Sequence, residues 1–254
     1  MMPAMPGSQT IAVLGLGEAG GTLAADLVTA GADVVGYDPR GGGTGSAPEA
    51  VRTAGLVLSV NAAAVAERVA EESMPATPPG AIWADLNTSA PSLKERLADR
   101  ADKHGLRFAD VALMAPVPGR GVATPCLAAG PGAAEYARII GGYGGRVQVV
   151  AGPPGTAAAR KLLRSVVMKP LATAIIEALT AARAAGSEEW LRAELAAEFG
   201  ADLVERLERG TYRHAARRVD EMAATAQMLA ELGTPARMTE AARAWLDALA
   251  VREV

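Results

Sequence analysis

The chain has 254 residues, enough for one large domain or two ordinary ones, and a net charge of −3 that gives no bulk reason to expect nucleic acid. The single cysteine, Cys126, excludes an internal disulfide, and with only His104 and His214 beside it no metal site is expected. The opening MMPAMPGSQT has no signal-peptide character and no later window is apolar enough to span a bilayer, so a soluble protein of the reducing cytoplasm is expected.

Residues 10–14, TIAVL, form a β-branched apolar run suited to a buried strand. The run leads directly into Gly15-Leu16-Gly17-Glu18-Ala19-Gly20 and an Ala/Leu helix ending near Gly31. Residues 33–37 read as the next strand, closed by Asp38. Strand, glycine turn, helix, strand and terminal acid within about 30 residues is the pattern of a dinucleotide-binding unit. Its glycines let backbone approach a pyrophosphate, its helix N-terminus supplies oriented N–H groups, and Asp38 can accept from a ribose hydroxyl. An ordinary glycine turn is the competing reading. The acid favours NAD, because a carboxylate repels a 2′-phosphate; Arg40, two residues on, is able to cradle that phosphate, so NADP stays open.

The GGGTGS run at 41–46 reads as a flexible linker beside the adenosine pocket. Strands are predicted at 56–60, 81–85, 107–114, 125–129 and 146–150, with helices at 62–72, from Asn87-Thr88-Ser89-Ala90-Pro91 to His104, and at 133–140. Ser89 or Thr88 is the expected cap of the second of these helices. Val60 and Asn61 close a strand at the level where doubly wound sheets bind ligands, and Asn87 and Thr88 do the same after the next strand. The alternation predicts a Rossmann-type α/β fold, a doubly wound and mostly parallel sheet, over residues 1–152.

From Gly152 onward the pattern is helical, predicting a smaller all-α domain at 153–254. A long Ala/Leu/Arg-rich helix runs to about 185 and is interrupted by Pro170, a residue able to kink it. Further helices are predicted at 187–207, 212–232 and 239–251, punctuated by Gly186, Gly210 and Gly233-Thr234-Pro235. Their apolar faces exceed what the domain can bury internally and predict a homodimer through this half.

Four lysines occur in the whole chain, Lys94, Lys103, Lys161 and Lys169. At about 100° per residue Lys161, Arg164, Ser165 and Met168 share a helix face, with Lys169 about 80° away from Lys161. Lys161 is the candidate general acid–base, its pKa tuned by burial and by Arg164; a surface lysine on a cationic face is the alternative. Lys169 reads as a solvated structural lysine. Arg213, His214, Arg217 and Arg218 form a basic cluster, read either as a solvated run paired with Glu205, Glu208 or Asp220, or as a site element.

Taken in order, the glycine loop, the Asp85-to-Pro91 segment, the Asp110-to-Arg120 segment and Gly155 through Lys161 resemble the β-hydroxyacid dehydrogenase family, related to 6-phosphogluconate and 3-hydroxyisobutyrate dehydrogenases. The C-terminal part is similar to a small, phosphogluconate-dehydrogenase-like helical variant. The resemblance implies an NAD(P)-dependent oxidoreductase acting on a small hydroxy acid or its carbonyl counterpart, with the family's lysine at Lys161. It implies that Arg213, His214 and Arg217 reach a partner subunit's substrate.

Two departures stand out. Where the family carries Ser-Gly-Gly for a substrate carboxylate, this chain has Pro118-Gly119-Arg120, and the usual asparagine pair is replaced by Arg164 and Ser165. These arginines point to an anionic substrate, the alternative being a clamp on the cofactor pyrophosphate or a pairing with a nearby carboxylate. The rival functions are an imine reductase of the same fold and a nucleotide sensor that turns nothing over.

Overall fold

The computed structural model describes residues 9–251. The first eight residues, which carry most of the opening segment read above for targeting, and residues 252–254 lie outside that range.

The strands are β1 (Thr10–Leu14), β2 (Val34–Tyr37), β3 (Ala54–Ser59), β4 (Ile82–Asp85), β5 (Arg107–Leu113), β6 (Cys126–Ala129) and β7 (Val147–Val149). They form one sheet in the order β2-β1-β3-β4-β5-β6-β7, parallel throughout except where β6 runs antiparallel to β5. The order reverses direction between β1 and β3, which opens a crevice at their carboxyl ends, the place where doubly wound sheets bind ligands.

Alternation along the strands feeds two cores, one on each face. Ile11, Val13, Leu56, Leu58, Ile82 and Val111 pack with Leu23 and Leu27 of α1 (Glu18–Thr29) and with Tyr136, Ile139 and Ile140 of α5 (Ala133–Gly142). Leu14, Val57, Trp83 and Phe108 face α2 (Ala47–Val51), α3 (Ala63–Ser73) and Leu93 and Leu97 of α4 (Pro91–Lys103). Burying each large side chain is worth about 1.5–3 kcal/mol, so both faces are strongly specified.

Two expectations for this half are corrected, and one helix is added. The run at 41–46 is no linker: Thr44 N–H donates to the Gly36 carbonyl at 2.8 Å and Gly43 bridges Tyr37, folding the segment back on β2. Gly43 has φ +79°, and a Cβ there would overlap the Gly36 carbonyl. The unpredicted α2 follows at once, its Ser46 side chain accepting from Glu49 N–H at 3.3 Å. Neither Thr88 nor Ser89 caps α4; the N-cap is Ala90 with no side-chain bond, because Pro91 at the first position needs no N–H acceptor and shifts the helix start onto itself.

The helical half comprises α6 (Thr156–Ala184), α7 (Glu188–Phe199), α8 (Ala201–Arg213), α9 (Ala215–Glu231) and α10 (Arg237–Ala250). The 29-residue α6 passes through Pro170 as one helix. The chain separates into two compact units inside α6, between Lys161 and Leu162. The reason is that the first turns of α6 belong to the sheet unit, where Ala157 packs with Ala112, Ala129 and Val150.

In the helical unit, Ala172, Ile175 and Leu179 pack with Val204 and Leu207, and Met222 of α9 packs with Ala242 and Leu246 of α10. The helix expected over 187–207 is two helices broken at Gly200, whose φ of +81° a helix cannot accommodate. Gly210, expected to punctuate, lies within α8; a Cβ there would sit 3.1 Å from Nη2 of Arg218, so it makes room for that side chain.

Candidate active site

The glycine loop joins β1 to α1 at the reversal of strand order. Gly15 has φ +99°, and a Cβ on it would overlap the Val60 carbonyl and touch Oδ1 of Asn61. A Cβ on Gly20 would overlap the Gly15 carbonyl and approach Val60, so both glycines are demanded by the close approach of α1 to the sheet. Gly17 is the N-cap of α1 and contributes no side-chain bond, which leaves the amides of Glu18 and Ala19 without a side-chain cap acceptor. These amides and the missing side chains form a cradle that fits a dinucleotide pyrophosphate.

Asp38 stands at the edge of this cradle, 7% exposed. Its Oδ2 accepts from Leu16 N–H at 2.9 Å and its Oδ1 accepts from Arg40 N–H at 2.9 Å. The Arg40 amide foremost, then the Leu16 amide and the Arg40 guanidinium, hold the carboxyl below its ordinary pKa against the opposing effect of burial. The exposed Arg40 side chain pairs with Asp38 at 3.3 Å and its Nη2 reaches over Gly17.

Deeper in the crevice, the register places Ser59, Asp85 and Asp110 side by side across β3, β4 and β5. Asn87 links the first two: its Nδ2 donates to Asp85 Oδ2 at 2.8 Å and to Ser59 Oγ at 3.2 Å, and its Oδ1 accepts from the Asn61 amide. Asn61 Nδ2 donates to Ser59 Oγ at 2.9 Å. Lys94, fully buried, donates from Nζ to the Asp85 carbonyl at 2.9 Å and to its Oδ1, with Asp110 Oδ1 at 3.6 Å. The other oxygen of Asp110 accepts from the amides of Gly155, Ala157 and Ala158 at 3.0, 2.9 and 3.0 Å, gripping the start of α6.

Lys161 follows one turn after that grip, half-buried, and its Nζ donates to Thr88 Oγ1 at 2.7 Å. The neighbouring Ser89 Oγ is buried and has no protein partner. The loop from β5 to β6 carries Pro118, Gly119 and Arg120. It is stapled to α1, where Asp26 Oδ2 accepts from Val122 N–H at 2.8 Å, and a Cβ on Gly121 would overlap that carboxylate. Arg120 is exposed, and Gly119 supplies a φ of +78°.

The sheet unit thus holds Gly15, Leu16, Gly17, Glu18, Ala19, Gly20, Asp38, Arg40, Val60, Asn61, Asn87, Thr88 and Lys161 around the carboxyl ends of β1, β3 and β4. Pro118, Gly119 and Arg120 also lie in this unit, and the remaining candidates belong to the helical unit. Ser165, buried, donates to Glu221 Oε1, which also pairs with Lys169 at 3.3 Å. Lys169 is therefore not solvated. Burial first, then Arg218 and Arg164 against the opposing Glu221, lowers its pKa.

Arg213 and Arg217 are exposed, and His214 stands between α8 and α9. Two of the carboxylates expected to neutralise this cluster are engaged elsewhere, Glu205 with Arg209 at 2.7 Å and Glu208 with Arg192 at 2.8 Å. Arg218, its pKa lowered by burial, donates to Thr211 Oγ1.

A family model for the NAD binding domain of 6-phosphogluconate dehydrogenase matches residues 10–124, and one for a domain of unknown function, DUF1932, matches residues 182–249. A curated relative from Mycobacterium tuberculosis, named "Probable 3-hydroxyisobutyrate dehydrogenase", is 28% identical over 70% of this chain and 65% of its own length. The chain therefore aligns with less than two thirds of that relative. Over these segments the chain is similar to the β-hydroxyacid dehydrogenase family.

Solved structures agree with this chain in fold. A conserved hypothetical protein from Sinorhizobium meliloti is 27% identical, with a TM-score of 0.76 over 96% of this chain and 89% of that one. A Mycobacterium tuberculosis 3-hydroxyisobutyrate dehydrogenase solved with L-serine gives 0.78 at 22% identity, over 96% and 94%. A reductive aminase from Aspergillus terreus solved with NADPH gives 0.65 at 19%, over 97% and 94%, so this fold also serves that class. The NAD-binding family domain spans the glycine loop, Asp38, Asn61, Asn87 and Arg120, whereas Lys161, Arg164 and Ser165 fall between the two matched segments.

Ser59, Asp85, Lys94, Asp110, Asp26 and Glu221 escaped the reading of the sequence. The signal for the first, second and fourth is a polar residue closing a short apolar run at one level of three strands: LVLS, AIWAD and RFAD. No local signal marks Asp26 or Glu221, whose partners lie 96 and 56 residues away.

Among the described residues no helix is long and apolar enough to cross a membrane, and no cluster of His, Cys, Asp and Glu suited to a metal ion occurs.

Proposed function

We propose that the chain is an NAD(P)-dependent oxidoreductase moving a hydride between nicotinamide and a small anionic hydroxy acid or its carbonyl counterpart, with Lys161 as general acid–base. The observation carrying this reading is the Lys161 Nζ–Thr88 Oγ1 bond of 2.7 Å on a helix whose first turn is anchored by Asp110 at the ends of the sheet. When bound, the nicotinamide dinucleotide supplies the hydride acceptor or donor.

Around it the amides of the glycine loop would hold the pyrophosphate and Asp38 a ribose hydroxyl, with Asn61, Asn87 and Val60 shaping the wall toward the reacting end. Lys161 takes the proton from the substrate hydroxyl at Nζ as the alcohol is oxidised and returns it to the carbonyl oxygen in the reverse direction. Thr88, accepting from Nζ, fixes the direction of the amine. Arg120, on its stapled loop, would receive the substrate's anionic group, and Arg164, Ser165, Arg213, His214 and Arg217 are proposed as further substrate-binding residues.

Asp38, with both oxygens turned to the glycine loop and to Arg40, favours NAD over NADP. The single buried cysteine suits the reducing cytoplasm, and the helical half would form the homodimer.

The test is a titration of the protein with NADH and NADPH followed by turnover on 3-hydroxyisobutyrate, serine and phosphonate- or phosphate-bearing hydroxy acids. Nucleotide-dependent turnover of the acids, lost in Lys161→Ala, is expected; binding without turnover of any of them would make the protein a nucleotide sensor. Preferential turnover of neutral ketones with amines would instead favour the reductive aminase reading, which the shared fold keeps in play.

A further inference from the structure

Lys94 is fully buried, yet neither the cofactor cradle nor the proton transfer proposed above uses it. Its Nζ lies between two carboxylates that are themselves 1% and 0% exposed, Asp85 and Asp110, on neighbouring strands in matching register. Charged groups so deeply placed are costly unless each is compensated, and loss of the cation would leave two buried anions facing each other. The two carboxylates also act in different directions. Asp85 fixes Asn87 through its amide at 3.2 Å and its Nδ2 at 2.8 Å, and so sets the wall shared with Asn61. Asp110 fixes the first turn of α6 through three amides, one turn before Lys161.

We propose that Lys94 is a positioning residue that ties the nucleotide wall to the lysine helix: by holding Asp85 and Asp110 side by side it sets Asn87 and Lys161 at a fixed separation. The role of Lys161 rests on the function proposed above; the tie itself does not. Lys94 touches neither substrate nor cofactor. Its ammonium is fully buried and held by the Asp85 carbonyl and by the carboxylates of Asp85 and Asp110. A group acting in this way affects the placement of the proton-transfer amine more than the ground-state hold on substrate, because misplacement of reacting groups is felt mainly in the transition state.

The Lys94→Met substitution alone would bury two uncompensated carboxylates and risks unfolding, so the decisive variant is Lys94→Met combined with Asp85→Asn, which keeps the local charge balanced by leaving Asp110 on the α6 N-terminus. Amide hydrogen exchange is measured across residues 155–161 in this variant and in wild type, without any ligand. The expected result is a cooperative melt near that of wild type with exchange over this segment faster by roughly tenfold or more. With 3-hydroxyisobutyrate as probe, kcat falls by about tenfold or more while KM changes less than about threefold. A folded double variant with unchanged exchange at 155–161 overturns the tie, as does one with wild-type kcat. If wild type itself neither binds NADH nor turns over the probe, the proposed function fails while the exchange measurement still decides the tie.

Discussion

Three glycines of the sheet unit and three of the helical unit serve opposite purposes. In the sheet unit Gly15, Gly20 and Gly43 lie where a Cβ would overlap backbone carbonyls, so they are there for proximity. In the helical unit a Cβ on Gly186, Gly200 or Gly233 would meet nothing within 4 Å, and these glycines serve only to end helices with positive φ of 68°, 81° and 67°. Charge follows the same division. Around the crevice it is buried and bonded in a network, Lys94 with Asp85 and Asp110, whereas much of the helical unit's charge lies in surface pairs such as Arg183 with Glu188, whose carboxyl is drawn down to about 2 by hydrogen bonds from Arg183 and then Arg192. One unit is built to hold atoms at fixed separations. The other presents helix faces, α7 having no buried residue at all while Trp190 and Phe199 stand exposed.

The sharpest way to test that contrast is to remove one lysine from each unit. Lys161→Ala should keep the fold and nucleotide binding while turnover falls by roughly 10²- to 10⁴-fold. Lys169→Ala, which breaks only the pair with Glu221, should cost less than about fivefold. Equal losses in steady-state kinetics would mean that the chemistry does not distinguish the units.

Next in size is Gly20→Ala. Its methyl would force α1 away from Gly15, an overpacking of about 1–3 kcal/mol, and NADH affinity by fluorescence titration should drop by an order of magnitude or more. An unperturbed affinity would show that the loop tolerates displacement.

Asp38 provides the third test. Wild type should bind NADH about tenfold more tightly than NADPH, roughly 1.4 kcal/mol, and Asp38→Asn should narrow the gap. The carboxyl's pKa is lowered in the fold, so its stabilisation is present above the unfolded value of about 4 and is lost as pH falls through the depressed folded value. The Asn variant should therefore show a flatter acid limb in thermal melts across that window. The smallest effect belongs to Gly200→Ala, where only the φ of +81° is strained: about 1 kcal/mol by denaturant unfolding and no change in nucleotide affinity.

The sheet was readable because its strands are short, β-branched and apolar, and because Gly15, Gly17, Gly20 and Asp38 have spacings that local geometry dictates. Lys94 was not, since its environment comes from Asp85 nine residues earlier and Asp110 sixteen later, brought to it by strand register and not by helix period. The helix break at Gly200 was missed because the apolar spacing of 187–207 continues through it. The Ser46–Glu49 start of α2 was legible as a capping signal and was masked by the preceding glycines.

The division of α6 between Lys161 and Leu162 bears on how such chains can be recombined. A chimera cut in the loop at 151–155 would inherit its lysine helix from the foreign half, together with whatever first turn that half brings to Asp110. Moving the cut past Lys161 keeps the amides of Gly155, Ala157 and Ala158 with their own carboxylate, so the helical halves become interchangeable modules while the amine stays native to the sheet.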